Sequence, residues 1–156
     1  MCRARASIND GSYDPDGDPI TLRQAPPRPY SVGATNVTLT VTDSHGATDQ
    51  AMGSVTVVDA TAPRIQGVSS RGSSGVPIVV NYRSFDNCGH VRCVLSVSSH
   101  HGTARVIDAH HFVVSHEGEY RLSITCTDDA GNVTEKSYTT VVSRRHTRLW
   151  PGPPRG

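Results

Sequence analysis

The chain has four cysteines, Cys2, Cys88, Cys93 and Cys126, and none of them forms the Cys-x-x-Cys spacing of zinc ribbons or thioredoxins. Small β-rich modules are often stapled by disulfides in oxidising compartments. Cys93 begins one alternating segment and Cys126 ends another, so on neighbouring antiparallel strands both sulfurs would point inward at the same end. The sequence therefore predicts a Cys93–Cys126 disulfide. Cys88 competes for either position, Cys2 is a partner for the cysteine left over, and buried free thiols are the alternative.

Three aspartates, Asp14, Asp16 and Asp18, alternate in one short loop and form a candidate calcium site. Calcium prefers six to eight oxygen ligands, and this spacing supplies three carboxylates. The glycine and glutamate that complete an EF-hand loop are absent, since Pro19 and Ala25 stand in their places. The alternative is a solvated turn, because Asp-Pro and Asp-Gly pairs favour turns without any metal.

Five histidines lie close together in the second half of the chain: His100, His101, His110, His111 and His116. Neighbouring residues of a strand face opposite ways, so an adjacent pair cannot chelate on one face. No acidic residue stands at a metal-site spacing from them. There is also no Gly-x-Ser-x-Gly elbow and no phosphate-binding glycine loop. We expect no enzyme activity, and a metal-dependent enzyme remains the least favoured alternative.

Composition narrows the class of protein. Lys and Arg total 15 against 14 Asp and Glu, so the net charge of +1 gives no reason to expect nucleic acid as a partner. No stretch reaches the ~20 apolar residues needed for membrane insertion. Hydrophobic residues make up 35% and aromatic residues 5% of the chain. These values favour thin, aliphatic β-sandwiches over one large core.

An internal repeat sets the organisation of the chain. Residues 37–46 and 122–131 both alternate apolar and polar side chains and then continue as Thr-Asp-x-x-Gly, with Asp43 and Asp128 separated by 85 positions. Alternation at period two indicates a strand with one buried face. Asp accepts backbone N–H bonds and Gly adopts positive φ, so each copy predicts a β-hairpin. A repeat of this length suits an immunoglobulin-type sandwich of ~100 residues.

The predicted fold is all-β, with two tandem immunoglobulin-like β-sandwich modules. Ala62-Pro63 marks the junction, so residues 1–62 form the first module and residues 63–143 the second. The 85-residue offset predicts that the first module is N-terminally truncated, and a complete smaller sheet is the alternative. Residues 144–156 are rich in Pro, Gly and Arg and predict a flexible tail.

We predict ten strands and no helix, because no segment sustains apolar residues at helical spacing. The predicted strands are Arg3–Ile8, Ile20–Arg23, Val37–Thr42, Gly53–Val58, Ile78–Phe85, Arg92–Ser98, Ala104–Asp108, His111–Val114, Tyr120–Thr127 and Thr134–Val142.

Several motifs together resemble bacterial extracellular immunoglobulin-like repeats of the HYR and PKD types. They are the runs 10–22, 29–33 and 55–63 in the first module, and Asp86-Asn87-Cys88, 93–97 and 124–132 in the second. The resemblance implies secreted, tandem, non-enzymatic repeats. In HYR-like repeats an early cysteine often pairs with one on the last strand, but Ala51 and Lys136 occupy the places of those partners here.

The function that follows is a non-catalytic spacer or adhesion element of a larger secreted or cell-surface protein. Its expected partners are other domains of the same polypeptide and a cell-surface protein or glycan. The alternative is an accessory carbohydrate-binding module of a secreted hydrolase. Such modules need exposed aromatic residues on one face, and Tyr13, Tyr30, Tyr82, Tyr120 and Trp150 are too scattered to form one.

Overall fold

The computed structural model describes residues 2–100 and 102–144, which fold into two compact units. The first unit comprises Met1–Thr61 with the short segment Asn87–Gly89, and the second comprises Ala62–Asp86 with His90–Gly156. Every regular element within these described ranges is a β-strand, which confirms the all-β fold class. The same ranges contain no helix long and apolar enough to cross a membrane.

The described part of the first unit has five strands in two antiparallel sheets. The larger sheet has the order β2-β4-β5, and a short sheet pairs β1 with β3. The strands are β1 (Arg3–Ala4), β2 (Thr21–Ala25), β3 (Tyr30–Ser31), β4 (Gly33–Thr42) and β5 (Thr48–Val57).

The alternation of β4 and β5 gives their sheet one buried face. Val37 on β4 and Val55 on β5 are buried, and Tyr30 from β3 packs with them. Ile8 covers the same face and packs closely over Gly53, where an added Cβ would lie 3.3 Å from the Ile8 side chain. The core of this unit is therefore small and depends on the segment that carries Ile8.

That segment is held by one side chain rather than by a strand ladder. The Gln24 amide oxygen accepts hydrogen bonds from the Ser7 hydroxyl (2.8 Å) and the Ile8 N–H (2.9 Å). Its amide nitrogen donates to the Ala6 carbonyl (3.3 Å) and the Tyr30 hydroxyl (2.7 Å). A side-chain amide has two donors and two acceptor positions, so Gln24 has a partner for each of them.

The described part of the second unit has seven strands in two sheets, of order β6-β7-β10-β9 and β12-β11-β8. All neighbouring strands are antiparallel. The strands are β6 (Arg64–Arg71), β7 (Ile78–Phe85), β8 (Val91–Ser98), β9 (Ala104–Asp108), β10 (His111–Val114), β11 (Gly118–Asp128) and β12 (Val133–Val142).

The two sheets of the second unit share one hydrophobic core and so form a sandwich. Val80 and Phe112 from one sheet are fully buried together with Leu122 and Ile124 from the other. Naming the seven strands A to G in chain order gives sheets A-B-E-D and G-F-C, the strand order of an immunoglobulin constant-type sandwich. The buried Tyr120, near the start of strand F, donates its hydroxyl to a backbone carbonyl four residues upstream (3.0 Å), which is the tyrosine corner of such sandwiches.

The two hairpins predicted from the repeat have the same register. Thr42 pairs with Thr48 in the first unit and Thr127 pairs with Val133 in the second, and both members of the pair shift by 85 positions. Under this offset every residue of β5 has a structural equivalent in β12, which makes direct comparison of the two strands meaningful.

Three predicted strands, β7, β9 and β10, have the bounds found in the structure. The prediction missed β3 and β6. In β6, Gly67 has positive φ and the pairing shifts between Gln66 and Ser69, so the alternation that reveals a strand is interrupted. The strand predicted over Arg3–Ile8 ends at Ala4. The tail predicted for residues 144–156 lies outside the described residues beyond position 144.

Candidate functional site

The structure joins Cys93 and Cys126, which face each other across β8 and β11, with their sulfurs 2.03 Å apart. Both side chains point into the core of the second unit, and Cys126 is fully buried. The bond links strands C and F of one sheet, whereas antibody domains link strands B and F across the two sheets. This disulfide stabilises the sheet covalently.

Cys88 does not compete for that pair, because the structure joins it to Cys2. Cys88 follows β7 and lies in the segment Asn87–Gly89, which groups with the first unit. The Cα atoms of the two cysteines are 4.4 Å apart, and 86 positions separate them in sequence. Elimination was the only sequence signal for this pairing, since no alternation or turn motif relates the two positions. No described cysteine is free.

The aspartates of the candidate calcium loop do not converge. Asp14 folds back on its own loop, and its carboxylate accepts the N–H groups of Asp16 (2.8 Å) and Asp18 (3.4 Å). The Asp18 carboxylate lies 3.1 Å from Nδ1 of His45. Among the described residues, these three carboxylates are not one of the groups whose oxygens approach within 4.8 Å. The geometry is that of a side-chain-stabilised turn, and calcium binding stays a prediction.

The Thr-Asp-x-x-Gly motif forms the same turn in both units. Asp43 accepts the N–H groups of His45 and Ala47, both at 2.8 Å. Asp128 likewise accepts the N–H groups of Ala130 (2.9 Å) and Asn132 (2.8 Å). The glycine of each motif has a φ near +90°, a conformation that other residues rarely adopt. The motif's aspartate therefore closes a hairpin in each unit.

Asp128 is more buried than its counterpart Asp43. It is buried, and its second carboxylate oxygen accepts the Asn132 side-chain amide at 2.9 Å. Burial by itself raises the pKa of this carboxyl, but the hydrogen bonds from Asn132 and from the Ala130 N–H outweigh it and leave the pKa below its usual value. The hairpin of the second unit is thus built around an ionised carboxylate.

The histidines have separate partners rather than one common site. His110 stacks on Tyr82 with ring centroids 4.4 Å apart, and His111 lies 2.9 Å from the Asp108 carboxylate. His116 lies 2.7 Å from the hydroxyl of its neighbour Ser115. His101 lies outside the described residues. Within the described part of the chain, no histidine belongs to a group of three metal-ligating side chains within 4.8 Å.

These contacts lower the pKa of Asp108, while the pKa of Tyr82 is raised. The His110 N–H and the His111 ring both hydrogen-bond Asp108 and lower the pKa of its carboxyl. Burial raises the pKa of Tyr82, and the nearby charge of Asp108 adds to the effect. Tyr82 donates its hydroxyl to the Ala109 carbonyl at 3.1 Å, which fixes the ring beneath His110. These contacts order the turn between β9 and β10.

The described residues of each unit line an open cleft. The cleft of the second unit, about 820 Å³, lies where β8 ends and β11 begins, beside the middle of β12, and Glu117, Glu119 and Arg121 contribute to its lining. The cleft of the first unit, about 260 Å³, is lined by Leu22 and Leu39 with Arg23 and Arg28 at its rim. The half-buried Tyr138 also lines the cleft of the second unit, whereas Tyr13, the one largely exposed tyrosine among the described residues, lines neither cleft.

No protein-family model matches the chain, and no curated protein matches it. Among solved structures, the chain is similar to a crystal structure of protocadherin gamma B7 extracellular cadherin domains 1–4. The two share 18% sequence identity with a TM-score of 0.34. The alignment covers 72% of this chain and 32% of the protocadherin chain, so the chain spans about a third of that structure's length.

Proposed function

We propose that the chain is a non-catalytic pair of tandem immunoglobulin-like modules, acting as a spacer or adhesion element of a larger secreted or cell-surface protein. The observation that carries the proposal is the strand order of the second unit, A-B-E-D against G-F-C, with the same terminal hairpin repeated in the first unit. Modules of this architecture act through their surfaces and their mechanical stiffness. The motif resemblance to HYR and PKD repeats supports the finer family assignment within this proposal.

The disulfides support the extracellular part of the proposal. All four cysteines are paired, as expected where disulfides persist, outside the reducing cytosol. Both bonds close long stretches of chain, which resists extension of a surface protein under load. Cys93–Cys126 alone shields 33 residue steps, equivalent to about 115 Å of extended chain at about 3.5 Å per residue.

Single-molecule stretching of the oxidised chain between two handles tests the spacer role. We expect discrete unfolding events, and a Cys93→Ala/Cys126→Ala variant should lengthen the unfolding of the second unit by about 115 Å as the shielded residues are released. Reduction of the unaltered chain should lengthen it further, because it also frees the residues closed by Cys2–Cys88. Smooth extension at low force, without discrete events, would contradict a load-bearing spacer.

The carbohydrate-binding alternative is separated by a glycan array probed with the same chain. Tyr13 is 79% exposed, whereas Tyr30 and Tyr120 are buried. Tyr13 is the one largely exposed tyrosine among the described residues, so sugar stacking on its ring should be lost in a Tyr13→Ala variant. Glycan binding that requires Tyr13 would favour the accessory module of a hydrolase over the spacer.

A further inference from the structure

Strand β5 leaves one side of the first unit's main sheet without a partner strand. It runs ten residues with an unbroken register and, among the described residues, pairs with β4 alone. The hydrogen bond from the Asp43 N–H to the Ala47 carbonyl makes the odd-numbered residues of β5 the ones that bond to β4. The Gln50 N–H instead donates to the Asp49 carboxylate, which agrees with the backbone groups of even-numbered residues lying at the free edge of the sheet.

The outward edge is also open to solvent over most of its length. Residues 48–52 are all exposed, and the Met52 side chain is 88% exposed. The outward groups of Met52, Ser54 and Thr56 have no partner strand in the described part of the chain. A regular edge of this kind is a template for another strand, because its N–H and C=O groups are already aligned.

The other edges that can be compared with β5 carry features that block pairing. β2, the opposite edge of the same sheet, has five residues, includes Arg23 and runs into Pro26. β12 is the equivalent of β5 in the second unit. Its Lys136 lies on the core-facing side of the sheet, where the ammonium group donates to the Ile65 carbonyl at 3.5 Å. Inward charges, prolines and short strands are the usual means of preventing edge pairing.

β5 has none of these features. At the position of Lys136 it has Ala51, and it contains no lysine, arginine or proline. Its one charged residue, Asp49, lies near the end of the strand and protects only the Gln50 N–H. The difference lies in the residues themselves, since the two hairpins share their register.

We propose that β5 pairs antiparallel with β5 of a second copy of this chain, forming a continuous six-stranded sheet. A two-fold axis through Met52 or Gly53 pairs odd-numbered residues, whose side chains lie on the core face of the sheet, with odd-numbered residues of the other copy. It places Asp49 opposite Val55 or Val57 of the other copy. An axis through Ser54 would bring Asp49 opposite Asp59 and is disfavoured by like charge. Self-pairing therefore gives hydrogen-bond partners to the backbone groups at the free edge of β5 without charge repulsion, and it covers the exposed Met52.

The dimer is weak, because one pair of strands covers less than the ~1,200 Å² at the lower limit of standard interfaces. Several copies held on one surface would gain avidity from such contacts without any new interaction. The self-association goes beyond the spacer or adhesion role and does not depend on it, since it is a property of the isolated chain.

The test is amide hydrogen exchange by NMR on the oxidised full chain, together with sedimentation, from dilute solution to about 1 mM, a range suited to a small interface. We expect dimers at the higher concentration. Protection of the even-numbered Met52 and Ser54 amides should rise with concentration, while the odd-numbered Gly53 and Val55 amides stay constant. A monomer throughout, or a dimer without this alternation, would overturn the proposal.

Two variants and one control sharpen the test. Ser54→Pro removes an outward N–H and leaves the ladder with β4 intact, and Ala51→Lys copies the inward lysine of β12. Each should weaken association by on the order of tenfold or more. Thr139→Pro, at the equivalent outward position of β12, should leave association unchanged. If Thr139→Pro abolishes the dimer and Ser54→Pro does not, the interface lies elsewhere and the proposal fails.

Discussion

Replacing Gln24 by leucine should selectively destabilise the first unit. The register places Gln24 opposite Leu39. Ile124, which lies 85 positions after Leu39, is opposite Leu95, so Gln24 occupies the place of a core leucine. Leucine has a similar volume and would suit the buried face. It would nevertheless remove all four hydrogen bonds of the Gln24 amide, two of which hold the backbone of the segment 6–8.

The expected loss follows from those four bonds. Each contributes about 0.5–1.5 kcal/mol net, and the added apolar surface of leucine offsets part of the total, which leaves a loss of about 1–4 kcal/mol. Small domains have about 5–15 kcal/mol in all, so the first unit would lose a large fraction of its stability. Because Ile8 packs on Gly53, release of this segment also uncovers the valine core of the sheet.

Urea denaturation followed by circular dichroism, with amide exchange read at β4, measures this effect. Gln66→Leu is the matched control, because Gln66 is exposed on β6 and its replacement should change stability by no more than about 0.5 kcal/mol. A change below about 0.5 kcal/mol for Gln24→Leu, with exchange at β4 unaltered, would refute the role assigned to the amide.

Two further predictions concern the second unit. Cys93→Ala/Cys126→Ala should lower its free energy of unfolding by about 4 kcal/mol, the loop-closure entropy for a separation of 33 residues, and a urea titration that shows less than about 1 kcal/mol would contradict a stabilising bond. The lowered pKa of Asp128 means that its contribution is fully present above its unfolded pKa of about 3.9 and is lost as pH falls through the folded value. Melting curves between about pH 6 and about pH 2 should therefore show a smaller acid-induced loss for Asp128→Asn than for the wild type.

The strands that sequence reasoning placed well are those whose buried face is plain in the alternation. Within residues 122–126 every second side chain is fully buried, and in the repeat Val37 and Leu39 are buried while Val41 is half-buried. The hairpins follow from Asp and Gly at fixed spacing, because those residue types satisfy and permit the turn. These local signals survive because nothing in the tertiary structure opposes them.

The parts that sequence reasoning missed depend on distant contacts. The first half of β5 carries exposed polar residues, so no alternation marked its start at Thr48. The attachment of residues 6–8 depends on Gln24, sixteen to eighteen positions away, and a glutamine gives no sequence sign of a core position. The partner of Cys88 is 86 positions away. Local patterns cannot indicate pairings that only the folded chain brings together.

The central claim is that one hairpin occurs twice, with the same register, in two separate units. In antiparallel strands the non-hydrogen-bonded pairs bring Cα atoms within about 4.5 Å, close enough for strong NMR contacts between their Hα protons. We predict such contacts for Thr40 with Gln50 and for Thr125 with Glu135, two pairs related by the 85-residue offset. Contacts in one hairpin only, or a register shifted by one residue in either, would contradict the account.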